Sequence, residues 1–498
     1  VVVARWSLDV RAREAAVEMN RGGFLLLLSY VAPLASAYGI FMVLSRVLST
    51  TEFADFGVVN AGVTMVNAVL AGGTIQAVSR RFAASSGTHF TRLRRKALMR
   101  QLLISVVIAI LLALFSPLFA RALGDPSLAS YLAIASAIPA AYTLMAVQQG
   151  ALNGAGQLGG QGAMNVTIST LRVGLVIAAV LLGGGVKGAF IAILVASLLT
   201  FVVSWLIPIE HESQPTPQPA VPRGGTGRVR VKDDTVNFVV AQVLLQILLV
   251  ADLFLLKAHQ GVSTSEMVAL YVAGQTVARI PYGLLMGVPQ LAFSRSARER
   301  ASSTLLARSS GLTFALVAGL LAVMLAIAIP LREPLMLVIY PESFRGAAAF
   351  LPLLLGGAGA LAIGDVCQSM VSGVRGPQSS IVVFGVAVVV EIVVAFVLIP
   401  RDGVMGAAIA ALAGAVTLAV LASVVFFVRI RPEVPWTIVG TGLVLGAGSA
   451  VSASLFAAID PRPVMALLAA GGLALVVGGL FALSVRADLA GMKPVKKT

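Results

Sequence analysis

Apolar residues fill this chain in long runs separated by short polar stretches. Crossing a bilayer as a helix takes about 20 mostly apolar residues. Fourteen runs have that character: 23–45, 53–75, 98–120, 127–147, 161–182, 186–207, 236–256, 267–288, 310–331, 346–367, 380–400, 404–428, 437–459 and 463–485. The fourth, interrupted by Pro139, is the weakest. The pattern predicts an all-α polytopic membrane protein of about 14 transmembrane helices.

Parts of the pattern occur twice. Ser49-Thr50-Thr51-Glu52-Phe53 returns as Ser263-Thr264-Ser265-Glu266-Met267, 214 residues on, and at that shift Gln76 meets Gln290 and Arg81 meets Arg295. Gly185-Val186-Lys187-Gly188-Ala189 returns as Gly403-Val404-Met405-Gly406-Ala407, 218 residues on. A nearly constant register over half the chain means that one unit has been used twice. The expected organisation is a cytoplasmic tail (1–22), an N-lobe of six helices (23–207) and a Pro- and Gly-rich cytoplasmic linker (208–235). A C-lobe of six helices (236–428) follows, then 429–498 with two Gly-rich helices and a second cytoplasmic tail. Six helices per lobe place both lobes in the membrane the same way round, so the two are pseudo-symmetric about the membrane normal.

Within the apolar runs, polar residues recur at spacings of 3, 4 and 7, which align them on one helix face. The second run carries Asn60, Thr64, Asn67 and Thr74; the fifth Gln161, Asn165, Ser169 and Arg172; the seventh Gln242 and Gln246; the eighth Tyr271, Gln275, Arg279 and Tyr282. Such faces are costly against lipid and are expected to point inward. They either line a shared hydrated cavity or hydrogen-bond to one another in dry helix contacts. Arg279, Arg172 and Glu391 lie mid-run, where an arginine costs at least about 3 kcal/mol unless paired or hydrated. They are either braces within or between lobes, or a functional set in which arginines attract an anionic headgroup and Glu391 takes up a proton or cation. Asp55, Asp252 and Asp365 lie near the ends of their runs and are expected to be merely solvated. Pro281, Pro289 and Pro352 are candidate bends.

Composition agrees. The chain has 498 residues, 58% hydrophobic and only 11% charged, against about 25% charged in soluble domains. With the N-terminus inside, the cytoplasmic segments hold 26 of the 36 Lys and Arg residues and the outer loops 8. That bias predicts cytoplasmic N- and C-termini, and it accounts for the +15 net charge without nucleic-acid binding. The densest basic run, Arg80 to Lys96, reads as a topology signal or as a contact for a phosphate-bearing lipid. The single cysteine, Cys367, excludes an internal disulfide, and with three histidines a dedicated metal site is not expected. No cleavable signal peptide is expected before the first run. No soluble domain is present to hold a sugar donor, which argues against a glycosyltransferase and against an enzyme in general, and no cofactor is called for.

Several motifs resemble a known family. Leu48-Ser49-Thr50-Thr51-Glu52-Phe53 with Gly57 resembles the start of polysaccharide transporters, including O-antigen flippases, of the multidrug/oligosaccharidyl-lipid/polysaccharide exporter superfamily. So do Ala251-Asp252, Leu270-Tyr271-Val272-Ala273 with Arg279, and Pro289 with Arg295. Gln149-Gly150-Ala151-Leu152-Asn153-Gly154 and Ile399-Pro400-Arg401-Asp402-Gly403-Val404-Met405-Gly406-Ala407-Ala408 resemble two of its helix junctions. The resemblance implies two lobes around a central cavity lined by helices 1, 2, 7 and 8. It further implies movement of a polyprenyl-pyrophosphate-linked oligosaccharide from the cytoplasmic to the outer leaflet of the bacterial inner membrane, without ATP, for lipopolysaccharide, capsule or exopolysaccharide. Residues expected to meet the substrate are Arg279, Arg172, Asn60, Asn67, Gln242, Gln246, Gln275 and Tyr271; Glu391 would couple transport to a proton or sodium ion. Expected partners are membrane lipids and polysaccharide polymerase or assembly proteins. A multidrug or cation antiporter, a lipid II flippase and a non-transporting scaffold of a glycan-assembly complex remain alternatives.

Overall fold

The computed structural model describes residues 32–83, 90–155, 157–207, 231–260, 265–299, 302–459, 471–474, 476–483 and 485. Among them there are helices and turns but no strand. In chain order the helices are α1 (Ala32–Val47), α2 (Thr50–Ala83), α3 (Phe90–Ala122), α4 (Leu128–Ala135), α5 (Ala137–Gly154), α6 (Leu158–Leu181) and α7 (Gly185–Ser204). There follow α8 (Val231–Leu248), α9 (Ala251–Gln260), α10 (Ser265–Ala278), α11 (Ile280–Leu285), α12 (Gly287–Glu299), α13 (Ser303–Ala328) and α14 (Arg332–Ile339). The last are α15 (Leu351–Arg375), α16 (Gln378–Asp402), α17 (Val404–Ile430), α18 (Trp436–Ile459) and α19 (Gly471–Leu483). Among the described residues ten spans are long and apolar enough to cross a membrane, eleven if the bent pair α8–α9 is one span. Each of the fourteen expected runs has a helical counterpart. The chain is an all-α, multi-pass membrane protein.

The repeated motifs are local devices that start helices. Ser49 Oγ accepts from the Glu52 N–H (3.3 Å), while the Glu52 carboxylate accepts from the Ser49 N–H and hydroxyl (each 3.0 Å). This reciprocal capping box satisfies donors that the first turn of α2 leaves open. In the second copy, Ser263 and Thr264 fall outside the described residues, and α10 begins at Ser265. The other motif sets a turn. Gly185 (φ +54°) and Gly403 (φ +53°) share a positive φ at the start of α7 and directly before α17, one that an L side chain resists. Three residues later, a Cβ on Gly188 would touch the Ala179 carbonyl and one on Gly406 the Leu398 carbonyl. Both glycines thus lie against the backbone of the preceding helix, Gly406 more closely than Gly188.

The prolines also begin helices. Pro139, Pro281, Pro289 and Pro352 all lie in the first turn of α5, α11, α12 and α15, where the missing N–H leaves no bond unmade. The fourth run therefore breaks at Ser136, just before Pro139, and the eighth breaks at Arg279 and again at Met286.

The chain divides into two compact units. Unit 1 comprises Val1–Leu48, Val59–Arg121 and Pro126–Val229. In it α5 packs on α2 through Gly150 and Gly154, whose added Cβ atoms would lie 2.9 and 2.6 Å from the Ile75 and Ser79 carbonyl oxygens. Val78, Phe82, Leu98, Val147 and Ala151 close one small core, and Met145, Leu152, Met164, Ile168 and Ala196 another.

Unit 2 comprises Arg230–Thr498 together with Ser49–Val58 and Ala122–Asp125. Its core joins α8, α15, α16 and α17 through residues such as Leu245, Met370, Phe384, Leu418 and Phe426. On α16 the apolar pattern is divided by environment. Ala387, Glu391 and Ala395 face inward, while Val389, Val393 and Phe396 are exposed at 60%, 56% and 66%; that outer face suits lipid as its solvent. The first of the two Gly-rich C-terminal helices packs by backbone approach. A Cβ on Gly442 of α18 would lie 2.5 Å from the Gly319 Cα of α13, and one on Gly446 3.0 Å from the Ala322 carbonyl. Gly442→Leu is therefore expected to lower the thermal midpoint of the purified protein, through an overpacking cost of about 1–3 kcal/mol. Gly440→Leu, with open space around that glycine, should leave the midpoint unchanged.

Candidate functional site

A helix that breaks inside an apolar environment strands carbonyls at one end and N–H groups at the other. The seventh run does this. α8 ends at Leu248, α9 begins at Ala251, and the two are bent by 48°. Charged side chains of unit 2 meet both ends. The Arg279 guanidinium donates to the Leu249 carbonyl, a cation at the carbonyl end. Asp252 stands in the first turn of α9, an anion at the amide end, and accepts from the Leu253 N–H (2.8 Å). Its other oxygen accepts from Tyr271 Oη (2.6 Å) and Gln275 Nε2 (2.9 Å). Arg279 itself stands at the break between α10 and α11, so two discontinuous helices meet at this cluster.

Glu391 of α16 completes the set. It is fully buried (0% exposed), and neither carboxylate oxygen makes a hydrogen bond of proper geometry among the described residues. The charges of Asp252 and Arg279 act on it. Gly414 of α17 makes room for it: a Cβ there would lie 2.7 Å from the Glu391 Cβ. The cluster thus carries two carboxylates and one guanidinium. Arg279 is half-buried, and the Leu249 carbonyl engages one of its five donors.

The other residues singled out in the sequence divide between the units. In unit 1, Arg172 Nη2 donates to Asn60 Oδ1 (3.2 Å). The Arg172 Nε and the Asn67 Oδ1 are buried without a hydrogen-bond partner among the described residues. The α6 stripe is partly engaged inside that unit: Gln149 donates to Asn165 (2.9 Å) and Ser36 to the Ser169 carbonyl (3.0 Å). In unit 2, Gln242 is half-buried and Gln246 buried. Tyr271 and Gln275, expected to meet substrate, have their polar ends on Asp252, and Tyr271 is fully buried.

Three acidic residues expected to be solvated are not. Asp252 is 3% exposed. Asp365 is part-buried and accepts from Tyr282 Oη (3.3 Å). Asp55 is buried against Lys257. The Lys257 Nζ lies 3.3 Å from Asp55 and 2.8 Å from Asp125, with the ammonium wholly buried. Around this triad Phe53 packs edge-on to Phe344, ring centres 5.2 Å apart, and Gly57 sits against Val272, whose methyls a Cβ would strike. The charges sit at run ends because Ser49–Val58 and Ala122–Asp125 fold into unit 2, and packing covers them there. One sequence signal pointed to Asp252: an ionisable residue inside an apolar run is a functional candidate by default.

The family model described as polysaccharide biosynthesis protein matches residues 19–293, more than half of the chain. The chain belongs to the polysaccharide biosynthesis protein family. This family member has the fold of two solved groups of membrane proteins. Against "Lipid II flippase MurJ, inward closed conformation" the TM-score is 0.68 at 13% identity, over 93% of this chain and 99% of that one. Against an inward-facing multidrug resistance MATE family transporter of the MOP superfamily it is 0.63 at 17% identity, over 82% and 98%. No curated protein sequence matches it.

Proposed function

We propose that this polysaccharide biosynthesis family member is a flippase. It carries a polyprenyl-pyrophosphate-linked oligosaccharide from the cytoplasmic to the outer leaflet of the bacterial inner membrane by alternating access, for cell-surface polysaccharide synthesis. The observation that carries the reading is the break at α8–α9 with Arg279 at its carbonyl end. Discontinuous helices with charged partners are how membrane transporters build polar sites at depth.

In this reading Arg279 attracts the pyrophosphate with donors beyond the one on Leu249, since a guanidinium binds phosphate in a fork. Asn60, Asn67, Gln242 and Gln246 hydrogen-bond sugar hydroxyls, with Arg172 orienting Asn60. Tyr271 and Gln275 act one step back, by holding Asp252. Glu391 with Asp252 takes up the coupling proton or sodium ion: with one guanidinium for two carboxylates, one further positive charge balances the set. Membrane lipids and polysaccharide polymerase or assembly proteins are the partners of such a step.

Arg279→Ala is expected to abolish complementation of a flippase-null strain at normal protein level. Undiminished surface polysaccharide would remove Arg279 from the mechanism. A second reading has its own observation. The two carboxylates beside Arg279 suit a cation antiporter of the same superfamily. Drug susceptibility of a deletion strain separates them: hypersensitivity with intact surface glycan supports the antiporter, and loss of glycan without hypersensitivity supports the flippase.

A further inference from the structure

Unit 1 holds a second arginine whose surroundings look built for an anion. Arg94 lies in the second turn of α3, in the densest basic run of the chain. Two neighbours fix its guanidinium. Its Nε–H donates to the Gln148 Oε1 at 2.7 Å, and its plane lies 3.8 Å over the centre of the Trp205 ring. Gln148 is buried at 1% exposure. Both the Arg94 Nη2 and the Gln148 Nε2 are buried with no hydrogen-bond partner among the described residues. Orphaned buried donors are costly, most of all on a charged group. A cation stacked on an indole and anchored by an amide cannot easily swing out to find water.

Directly beside it is a hollow of about 410 Å³, lined by Arg94, Arg95, Leu98, Leu102, Phe201 and Trp205 among others. Apart from the two arginines its walls are apolar. Met99 and Leu102, on its rim, are exposed at 59% and 43%, as residues facing lipid are. One cationic end and one hydrocarbon end describe an amphiphile with an anionic head.

We propose that this hollow binds an anionic phospholipid from the cytoplasmic leaflet, its phosphate on Arg94 and Arg95 and one acyl chain between α3 and α7. The Lys and Arg distribution expected from the sequence puts this end of α3 on the cytoplasmic side, where anionic headgroups are drawn to basic residues. A phosphate seated at that end accepts from the guanidinium groups of Arg94 and Arg95, both of which line the hollow. The inference stands apart from the flippase reading, because none of its residues belongs to the α8–α9 cluster.

The test is lipid binding to the purified full-length protein by native mass spectrometry. Phosphatidylglycerol, phosphatidylcholine and a polyprenyl phosphate are each titrated against wild type, Arg94→Gln, Leu102→Trp and Arg121→Gln. Wild type should bind phosphatidylglycerol in preference to phosphatidylcholine. Arg94→Gln should lose roughly tenfold or more of that affinity, the scale of a charge-assisted hydrogen bond. Leu102→Trp fills the hollow from a lipid-facing position without touching the charge, and should also lose binding; this keeps the test decisive if Arg94→Gln folds poorly. Arg121→Gln, at the far end of α3 with the same change in net charge, should bind as wild type. Equal loss in Arg94→Gln and Arg121→Gln would reduce the effect to surface charge and overturn the site. Stronger binding of the polyprenyl phosphate than of phosphatidylglycerol would overturn the assignment to a phospholipid.

Discussion

Lys257→Met should destabilise this protein more than any other single change considered. The substitution keeps most of the side-chain volume but removes the one ammonium between Asp55 and Asp125, which are 5% and 1% exposed. Removing one partner from a buried ion pair costs about 3–5 kcal/mol, because the remaining charge stays out of water; here two carboxylates are left facing each other. Whole-protein stabilities of about 5–15 kcal/mol leave little margin for that loss. Thermal unfolding of the detergent-purified protein should show a large drop in midpoint, or no folded protein at all. The triple variant Lys257→Met, Asp55→Leu, Asp125→Leu should recover most of the loss, since replacing a whole buried ionic set by apolar residues of similar volume is often close to neutral. A single variant that melts like wild type would show that the triad contributes nothing.

Asp252 should divide stability from transport. Asp252→Leu leaves the Tyr271 hydroxyl, the Gln275 amide and the Leu253 N–H without their acceptor. Each orphaned buried donor costs about 1–3 kcal/mol, so the variant should lose on the order of 3 kcal/mol and express poorly. Asp252→Asn keeps the shape and one acceptor oxygen, and should fold with a modest loss. It removes the negative charge, however, and surface-polysaccharide complementation should fall to the level of the null strain. Full complementation by Asp252→Asn would remove this carboxylate from ion coupling and reduce it to a brace of the helix break.

Much of the architecture was legible because its causes are local. Span length follows from the apolar runs, and the start of α2 from the capping box of Ser49 with Glu52; Pro281, Pro289 and Pro352, expected as bends, stand instead in the first turns of helices. The positive-φ turns at Gly185 and Gly403 follow from a motif that occurs twice. Arg279, Tyr271, Gln275 and Glu391 were found as polar residues in apolar runs, and all four belong to one cluster in unit 2. Distance from a run's end did not decide environment. Asp55, Asp252 and Lys257 sit near such ends and yet are buried. Helical periodicity also told nothing of which polar groups would meet: Tyr271 and Gln275 share a face with Arg279, but their polar ends close on Asp252, on another helix.

From its own order of residues the chain determined a multi-pass helical membrane protein, its helix-starting motifs and a short roster of intramembrane polar groups. Hydropathy, capping and glycine turns act within a few residues of their cause, so they can be read along the chain. The tertiary structure alone decided which charges became partners. Lys257 finds Asp55 across 202 residues and Asp125 across 132, and Arg279 finds a carbonyl released by a break in a different helix. A buried charge takes whatever partner the fold brings within about 4 Å, and no local pattern encodes that choice.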